Sequence, residues 1–450
     1  MDDIVSLAKR RGFVYPASEI YGGLSNLWDY GPVGTLLKNN IKNEFIKYFT
    51  VLRDDIILLD SAIIQNPSVW KASGHVEHFT DPLTDCLSCK KRFRADHLIE
   101  DALHINAEGL NSAEYTALIK DNHIKCPECG GELIDVREFN LMFQTHIGPI
   151  EDDKNITFLR PETAQGIFTN FLNVIKSTRV NLPFGILQIG KAFRNEITAG
   201  NFIFRSLEFE QMEIEYFVNP KDADKEFEKL FEYNNGWYDL IGIKKENLKY
   251  VELSDTERAH YSKKTVDIYF KFPFGFKELQ SFANRTDYDL NKHSEESKKD
   301  LVIFDEESKK NIMPFVIEPS MGLDRLFLAI LSNGFYIEDV LGSERIVLKL
   351  SHKISPYQVA IFPLVNKGES LNLSRKIYDD LKLRFRCTFD SGGSIGKRYR
   401  RQDEIGTPKC ITIDQKSLED NMVTIRDRDT MKQDRIKIEK LDEYLNQCFI

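Results

Sequence analysis

Two arginines far apart in the chain each sit among carboxylates: Arg194 in Phe193-Arg194-Asn195-Glu196, and Arg325 at the end of Glu318-Pro319-Ser320-Met321-Gly322-Leu323-Asp324-Arg325. The first is followed by Phe204-Arg205-Ser206-Leu207-Glu208-Phe209-Glu210-Gln211-Met212-Glu213, and a further stretch reads Arg160-Pro161-Glu162-Thr163-Ala164-Gln165. A guanidinium is planar, stays ionised and grips phosphate oxygens through two hydrogen bonds, so Arg194 and Arg325 suit a polyphosphate whose charge builds up in a transition state. Carboxylates and glutamine nearby would hold magnesium, the edge of a base or an ammonium group. A lone Phe-Arg-x-Glu is an ordinary surface ion pair in most chains; here the set carries the argument.

Cys86-x-x-Cys89 and Cys126-x-x-Cys129, the second followed by Gly130-Gly131, have the spacing of two zinc knuckles converging on one tetrahedral ion. The 36 residues between the pairs exceed the usual gap, so a helical excursion over Asp96–Ile119 must fill it. Four thiolates leave no open position, and the ion would fold the insertion rather than catalyse. Four reduced, metal-free cysteines are the alternative, and His97 and His123 read as surface residues.

The elements that must position these groups follow from pattern. Leu36, Leu37, Ile41, Phe45 and Phe49 recur at helical spacing after Gly31-Pro32. Strand-like runs at Ile56–Leu59, Ile186–Ile189, Met212–Phe217 and Thr265–Phe272 cluster among loops and helices, which predicts an α+β fold on an antiparallel sheet. The charge-rich stretch Asn291–Asn311 reads as an exposed loop. After Ser355-Pro356 the order Val359–Phe362, a helix around Ser374–Leu381, then Ile411–Ile413 predicts a separate α/β domain. The expected division is 1–350 and 351–450, with an insertion at about 85–137.

With 450 residues, 42 % of them hydrophobic, the chain exceeds what one core supports. No run of about 18 apolar residues appears and the Met1-Asp2-Asp3 start lacks a secretion pattern, so no membrane association is expected and the cytoplasm is. Seven cysteines, an odd count, fit a reducing compartment. The net charge of −9 excludes a protein that coats nucleic acid indiscriminately, yet from Arg375 to Lys409 ten Lys or Arg face five Asp or Glu.

Taken together these stretches resemble the class II aminoacyl-tRNA synthetases. Phe193–Glu196 with Phe204–Glu213 is similar to their motif 2, Gly322–Arg325 before an apolar helix to motif 3, and Val33–Leu59 to the dimer-forming motif 1. Within that class the wording Tyr21-Gly22-Gly23-Leu24, Asp29-Tyr30-Gly31-Pro32, Asn140-Leu141-Met142-Phe143, Arg160–Gln165 and Glu257-Arg258-Ala259-His260-Tyr261 resembles the glycine-specific members. The resemblance runs from about Tyr15 to the end of the chain.

It implies an antiparallel-sheet catalytic domain with a zinc-knuckle-like insertion, a C-terminal α/β anticodon-binding domain, a homodimer, ATP with Mg2+, glycine and tRNA(Gly) as partners, and a structural Zn2+. It implies ATP contacts at Arg194, Asn195, Glu196, Phe204, Arg205, Ser206, Leu207, Glu208 and Phe209, and at Glu278, Leu279, Gly322, Leu323, Asp324 and Arg325. Around glycine it implies Arg94, Glu162, Phe209, Glu210, Gln211, Met212 and Glu213, with Glu318, Pro319, Ser320, Met321 and Gly322. Arg194, Arg325 and Glu162 would carry the catalysis. Glu162, Glu213 and Glu318 are the anionic candidates for an ammonium, and a cavity closed against any β-carbon needs no editing domain. Ser391–Gln402 resembles the loop and helix that bear on the anticodon arm, with Tyr399 and its basic neighbours offering stacking and phosphate contacts.

Two positions depart from the family wording. Leu207 stands where arginine is common, which leaves Arg205 to supply that phosphate contact. Gly275-Phe276-Lys277-Glu278-Leu279-Gln280 is looser than Gly-Trp-Gly-Glu-Leu-Glu, and the role of Gln280 is open. A different class IIa synthetase would share motifs 2 and 3 without the glycine-type phrases. A silent RNA-binding paralogue loses the ATP arginines, and both are present here.

Overall fold

The computed structural model describes every residue except 108, 151, 199, 256, 260, 307 and 450, so His260 of the Glu257–Tyr261 phrase lies outside the described residues. Seven strands form the main sheet: β1 (Ile56–Leu58), β2 (Phe184–Phe193), β3 (Glu208–Val218), β4 (Leu248–Glu252), β5 (Lys264–Phe272), β6 (Gly275–Thr286) and β7 (Phe315–Gly322). Their spatial order is β4-β5-β6-β7-β3-β2-β1. The edge strand β1 pairs parallel to β2, and the remaining pairings are antiparallel. The sheet is thus the antiparallel one that the clustered strand runs predict.

Alternation along β3 decides its two faces. Met212, Ile214, Tyr216 and Val218 join one apolar core, while Phe209, Gln211, Glu213 and Glu215 point to the other side, where Phe217 enters a second core. The first core is capped by α1 (Pro32–Ile46), α3 (Ala223–Ile241) and α5 (Leu323–Gly334), and the second by α2 (Ala164–Thr178). Helix α1 begins with Pro32 at its first position, where a fixed φ suits a helix start and no amide hydrogen is missed. Its buried face, Leu37, Ile41 and Phe45, continues through a wider turn at Lys47–Val51 to Phe49. Helix α5 is apolar on nearly every side because Leu326 to Leu331 are all buried against the sheet.

Asn291–Asn311 is not an exposed loop. It contains most of α4 (Tyr288–Ser297) and two short paired strands, Ile303–Asp305 and Lys310–Ile312. Leu290, just before this stretch, and Leu301 and Ile303 within it enter the second core, while Phe304 stays exposed. A sparse apolar signal was enough because Asp289, in the first turn of α4, is anchored by Arg285.

In the insertion, Thr80–Asp85 pairs with both Arg92–Arg94 and Arg137–Asn140. The excursion expected over Asp96–Ile119 is two helices, Ala95–Leu103 and Ser112–Asp121, the second opened by a reciprocal cap between Asn111 and Glu114. His97 and His123 are exposed, as expected.

Toward the C-terminus, β8 (Val359–Pro363), β9 (Cys387–Phe389), β10 (Lys409–Ile413), β11 (Met422–Asp427) and β12 (Gln433–Lys437) form a second sheet in the order β9-β8-β10-β11-β12. It is packed by α6 (Gly368–Leu381), α7 (Ile395–Ile405) and α8 (Leu441–Phe449). Helix α7 also ties this unit to the rest of the chain. Buried Asp403 accepts from Arg345 Nε (2.8 Å) and Arg426 Nη1 (2.8 Å), and Glu404 pairs with Arg10 and Arg11 of the N-terminal helix. Among the described residues no helix is long and apolar enough to cross a membrane.

Candidate active site

The hairpin of β2 and β3, in register Phe193↔Glu208, and the end of β7 bring Arg194 and Arg325 to one cavity of about 200 Å3. Glu196, Phe204, Arg205, Ser206, Phe209, Glu278 and Gly322 line it with them. Arg194 donates Nε–H to the carbonyl of Pro161 (3.0 Å) and lies between the Phe79 and Phe209 rings. Arg325 lies over the Phe204 ring at 4.6 Å and pairs with Glu278 at 3.0 Å. Both guanidiniums are thus oriented before any ligand arrives, on aromatic faces that leave their outer edges for an anion. Arg205, from the loop between the strands, approaches Glu196 at 3.9 Å.

A second cavity of about 230 Å3 opens from the first, sharing Arg194, Gln211, Glu278, Ser281 and Ser320. Its walls carry Glu162, Glu213, Glu318, Tyr261 and Arg285. Glu213 accepts from Ser320 Oγ at 2.7 Å and from Thr163 Oγ1; Thr163 N–H in turn donates to Gln211 Oε1 at 3.1 Å. Burial works against a charged Glu162, but His75 Nε2 at 3.4 Å, Arg285 and a hydrogen bond from Gln165 hold its carboxyl well below the usual carboxylate range. Burial and the Glu162 charge push Glu213 up. Burial also raises Glu318, to about 8, against the pull of Arg285 and with Glu213 and Glu162 adding to the rise. The cavity is anionic, yet only part of its possible charge is present in any one state.

Arg285 is the residue of this site that the sequence reading missed. It is buried at the end of β6, one face with Ser281 and Ala283, and its guanidinium bridges Glu318 and Asp289 while Tyr261 covers it at 4.2 Å. The signal was available: an arginine in phase with Ser281 and Ala283, on the inward face of its strand. His75, which holds Glu162, carried no comparable mark.

Several expected contacts fall elsewhere. Met212 and Met321 point through the sheet into the first core, as do Leu279 and Leu323, so none offers its side chain to a ligand. Glu210 lies on that same far face, paired with Lys38 at 2.8 Å. Asp324 reaches the cavity rim but is bound by Tyr30, Lys38 and the Glu210 amide, clipping motif 3 to α1 and β3. Glu208 is exposed and paired with Lys191. Asn195 bonds through its amide to Leu141, Leu207 through its amide to Asn26, and Pro319 is buried beside Phe282. Arg94 is fixed by Asp81 and Asp96 and lines a neighbouring cavity with Arg205, away from the acidic one, because the insertion strand carrying it stands beyond the Thr198–Arg205 loop. Gln280 faces α3, bonded to Asn234 and Tyr238.

One close approach shapes the floor. A β-carbon on Gly190 would lie 2.3 Å from Arg160 Nη2, so only glycine lets that buried guanidinium cross β2 to the Ser61 carbonyl. Arg160, which also donates to the Lys191 carbonyl, thereby holds the strand that runs up to Arg194.

In the insertion, Cys86 Sγ lies 3.5 Å from Cys129 Sγ and Cys89 Sγ 3.7 Å from Cys126 Sγ, with all four sulfurs within 4.8 Å of one another. Metal–sulfur bonds of about 2.3 Å in a tetrahedron place sulfurs about 3.8 Å apart, so this donor set fits zinc.

On α7, Arg398 is buried and spends its donors on the carbonyls of Ser391, Gly393 and Pro363, while Tyr399 packs against Phe362 and bonds Thr412. Tyr399 is therefore not offered for stacking. Lys397 and Arg400 are exposed, and with Arg11 and Arg401 they line a basic hollow.

An antiparallel sheet with two arginines over a polyphosphate-sized cavity and an acidic pocket behind it is the site of a class II aminoacyl-tRNA synthetase. Residues 143–334 match the family described as "tRNA synthetase class II core domain (G, H, P, S and T)", and residues 358–447 match "Anticodon binding domain". The chain is 52 % identical over 453 residues to "Glycine--tRNA ligase" of Caldanaerobacter subterraneus subsp. tengcongensis, covering 99 % of this chain and 98 % of that protein. It is likewise 52 % identical to the protein of that name from Ureaplasma parvum serovar 3, covering 99 % and 96 %. The fold also matches a solved structure, "Giardia lamblia Prolyl-tRNA synthetase in complex with prolyl-adenylate", at TM-score 0.66 and 15 % identity, over 98 % of this chain and 74 % of that one. The chain belongs to the glycine–tRNA ligase family.

Proposed function

We infer that the protein joins glycine to tRNA(Gly) in two steps. The glycine carboxylate attacks the α-phosphorus of ATP and pyrophosphate leaves; a terminal ribose hydroxyl of the tRNA then attacks the adenylate carbonyl and AMP leaves. The observation that carries this reading is the pair of contiguous cavities, one presenting Arg194, Arg205 and Arg325 in front and one anionic behind, joined at Arg194, Gln211 and Ser320. Arg194 and Arg325 position the polyphosphate and offset charge at the α-phosphorus. Phe204 and Phe209 supply apolar surface for the base, with Arg205 and Ser206 on the rim. Glu162, Glu213 and Glu318 receive the ammonium, and Ser320 and Gln211 orient the carboxylate end. The bonded side chains that floor the pocket would reject a larger amino acid by clash with its β-carbon.

Magnesium arrives with the nucleotide and neutralises its charge; Glu196 and Glu278 are the carboxylates of the front cavity that would hold it. Four cysteines of the insertion would hold a structural zinc. We further propose a catalytic unit over 1–350 and an anticodon-binding unit over 351–450, with Lys397 and Arg400 meeting phosphates. A homodimer through α1 and the exposed apolar residues Val51, Leu52 and Leu58 after it, and action in the cytoplasm, complete the reading.

Glycine-dependent pyrophosphate exchange tests it directly. Exchange supported by glycine and by no other amino acid is expected; exchange with a larger amino acid, or none, overturns the assignment.

A further inference from the structure

Glu215 has no role in the chemistry described so far, and its situation is unusual. It is 0 % exposed, and neither carboxyl oxygen has a hydrogen-bond partner among the described residues. It follows Glu213 on the inward face of β3 and lies opposite Glu318 on β7, as the register Glu213↔Ser320 and Tyr216↔Ile317 requires. Oxygens of Glu213, Glu215 and Glu318 all lie within 4.8 Å of one another. Three ionised carboxylates cannot share a dry space of that size, because each can only accept a hydrogen bond and each repels the others.

We propose that Glu215 is a positioning residue held as a neutral carboxylic acid, whose O–H donates to Glu318 and fixes that carboxylate toward the ammonium of the substrate. The inference rests on the glycine-activating reading of the pocket and names a residue that supports it from behind. Glu318 already has one side fixed, since Arg285 Nη1 reaches both of its oxygens at 3.0 Å. A donor from Glu215 holds the other. A second carboxylate at that place would instead pull Arg285 away and blur the geometry that a small ammonium needs.

The surroundings agree. Helix α2 covers this face with Ala164, Ile167, Phe168 and the neutral Gln165, and β2 adds Ile186 and Gln188. The charged or titratable groups facing it are Glu213 on its own strand, Glu318 on β7, Arg285 on β6, and Asp289 on α4. Burial first, then the charges of Glu318 and Glu213, raise the Glu215 carboxyl well above its ordinary value, and Arg285 only partly opposes them.

The native state then keeps a proton that the unfolded chain releases above about pH 4.3. Stability of the wild type must therefore fall as pH rises, relative to a variant that has no such proton. Glu215→Gln copies the neutral acid, donor included. Its Tm advantage over the wild type is expected to widen steadily from pH 5 to pH 8, and its glycine KM in pyrophosphate exchange to stay within about threefold of wild type. Glu215→Leu, which lacks the donor, should raise glycine KM more than tenfold with ATP KM unchanged. The infrared difference between wild type and Glu215→Gln should show the carbonyl stretch of a neutral carboxylic acid. A pH-independent Tm gap, a missing acid band, a Glu215→Gln as impaired as Glu215→Leu, or a divalent metal bound by wild type and lost in Glu215→Gln would each overturn the proposal. The Tm and infrared arms read Glu215 itself, whereas absence of glycine-dependent exchange by the wild type would refute the function and not this protonation.

Discussion

Arg285 meets Glu318 end-on, one guanidinium nitrogen 3.0 Å from each carboxylate oxygen, while its other edge grips Asp289 at 2.7 and 2.8 Å. One buried cation thus spans β6, β7 and α4, and the acidic pocket exists only because that cation compensates it. Arg285→Ala should cost about 3–5 kcal/mol of stability, the range for stripping one partner from a buried pair. Thermal and denaturant unfolding would show it, and loss of the ammonium-binding geometry should raise glycine KM in the folded fraction.

Arg194 donates to Pro161 and rests on two aromatic rings, with no carboxylate partner of its own among the described residues. Its removal therefore leaves no buried anion behind. Arg194→Ala should fold with little change in Tm and lose about 10²–10³-fold in pyrophosphate exchange, by comparison with other donors aimed at developing charge. Near-normal exchange would refute the role given to it.

Glu162 contributes to stability with a defined sign. Its carboxyl is held below the ordinary value, so its contribution is complete above about pH 4.3 and is lost as pH falls toward its folded value. The Tm gap between wild type and Glu162→Gln should be widest near pH 7 and shrink as the pH falls through 4. Melts over that series decide it.

Zinc removal should act locally. Cys86 and Cys126 are buried in the small core of the insertion, beside Ile99, Tyr115 and Ile119. Chelation, or Cys86→Ser, should release about one zinc per chain in elemental analysis and expose the 85–137 region to limited proteolysis before the remainder of the chain. A metal-free protein equally resistant to protease would contradict the structural role.

The basic hollow separates the two units functionally. Lys397→Ala with Arg400→Ala should raise the tRNA KM of aminoacylation and flatten its salt dependence, while pyrophosphate exchange remains at wild-type level. Parallel assays of the two reactions provide the check.

Much of this is legible in the sequence. Strand runs such as Thr265–Phe272 gave the antiparallel sheet because long hairpin strands keep their apolar alternation over many residues. Arg194 and Arg325 were found because their neighbours are distinctive in type and order. What escaped was direction. Met212 and Met321 lie in the quoted phrases yet face the far side of the sheet, since neighbours in a strand point opposite ways. Tyr399 looked like a stacking platform, but the Phe362 ring and Thr412 claim it, and only packing across β8 and β10 could reveal that. Arg285 escaped for a related reason: its phase marks the strand face it lies on but not the two carboxylates, Glu318 and Asp289, that meet it from another strand and a helix.

Helix α7 has one further consequence. Asp403 and Glu404 lock its inner side to Arg345, Arg426, Arg10 and Arg11, while Lys397 and Arg400 project from its outer side. Under the tRNA-binding reading proposed above, these clamps would hold the hollow at a set distance from the chamber where the tRNA end reacts, like calipers tightened at one opening, so that a molecule of the wrong span would fail at one jaw even when the other accepts it.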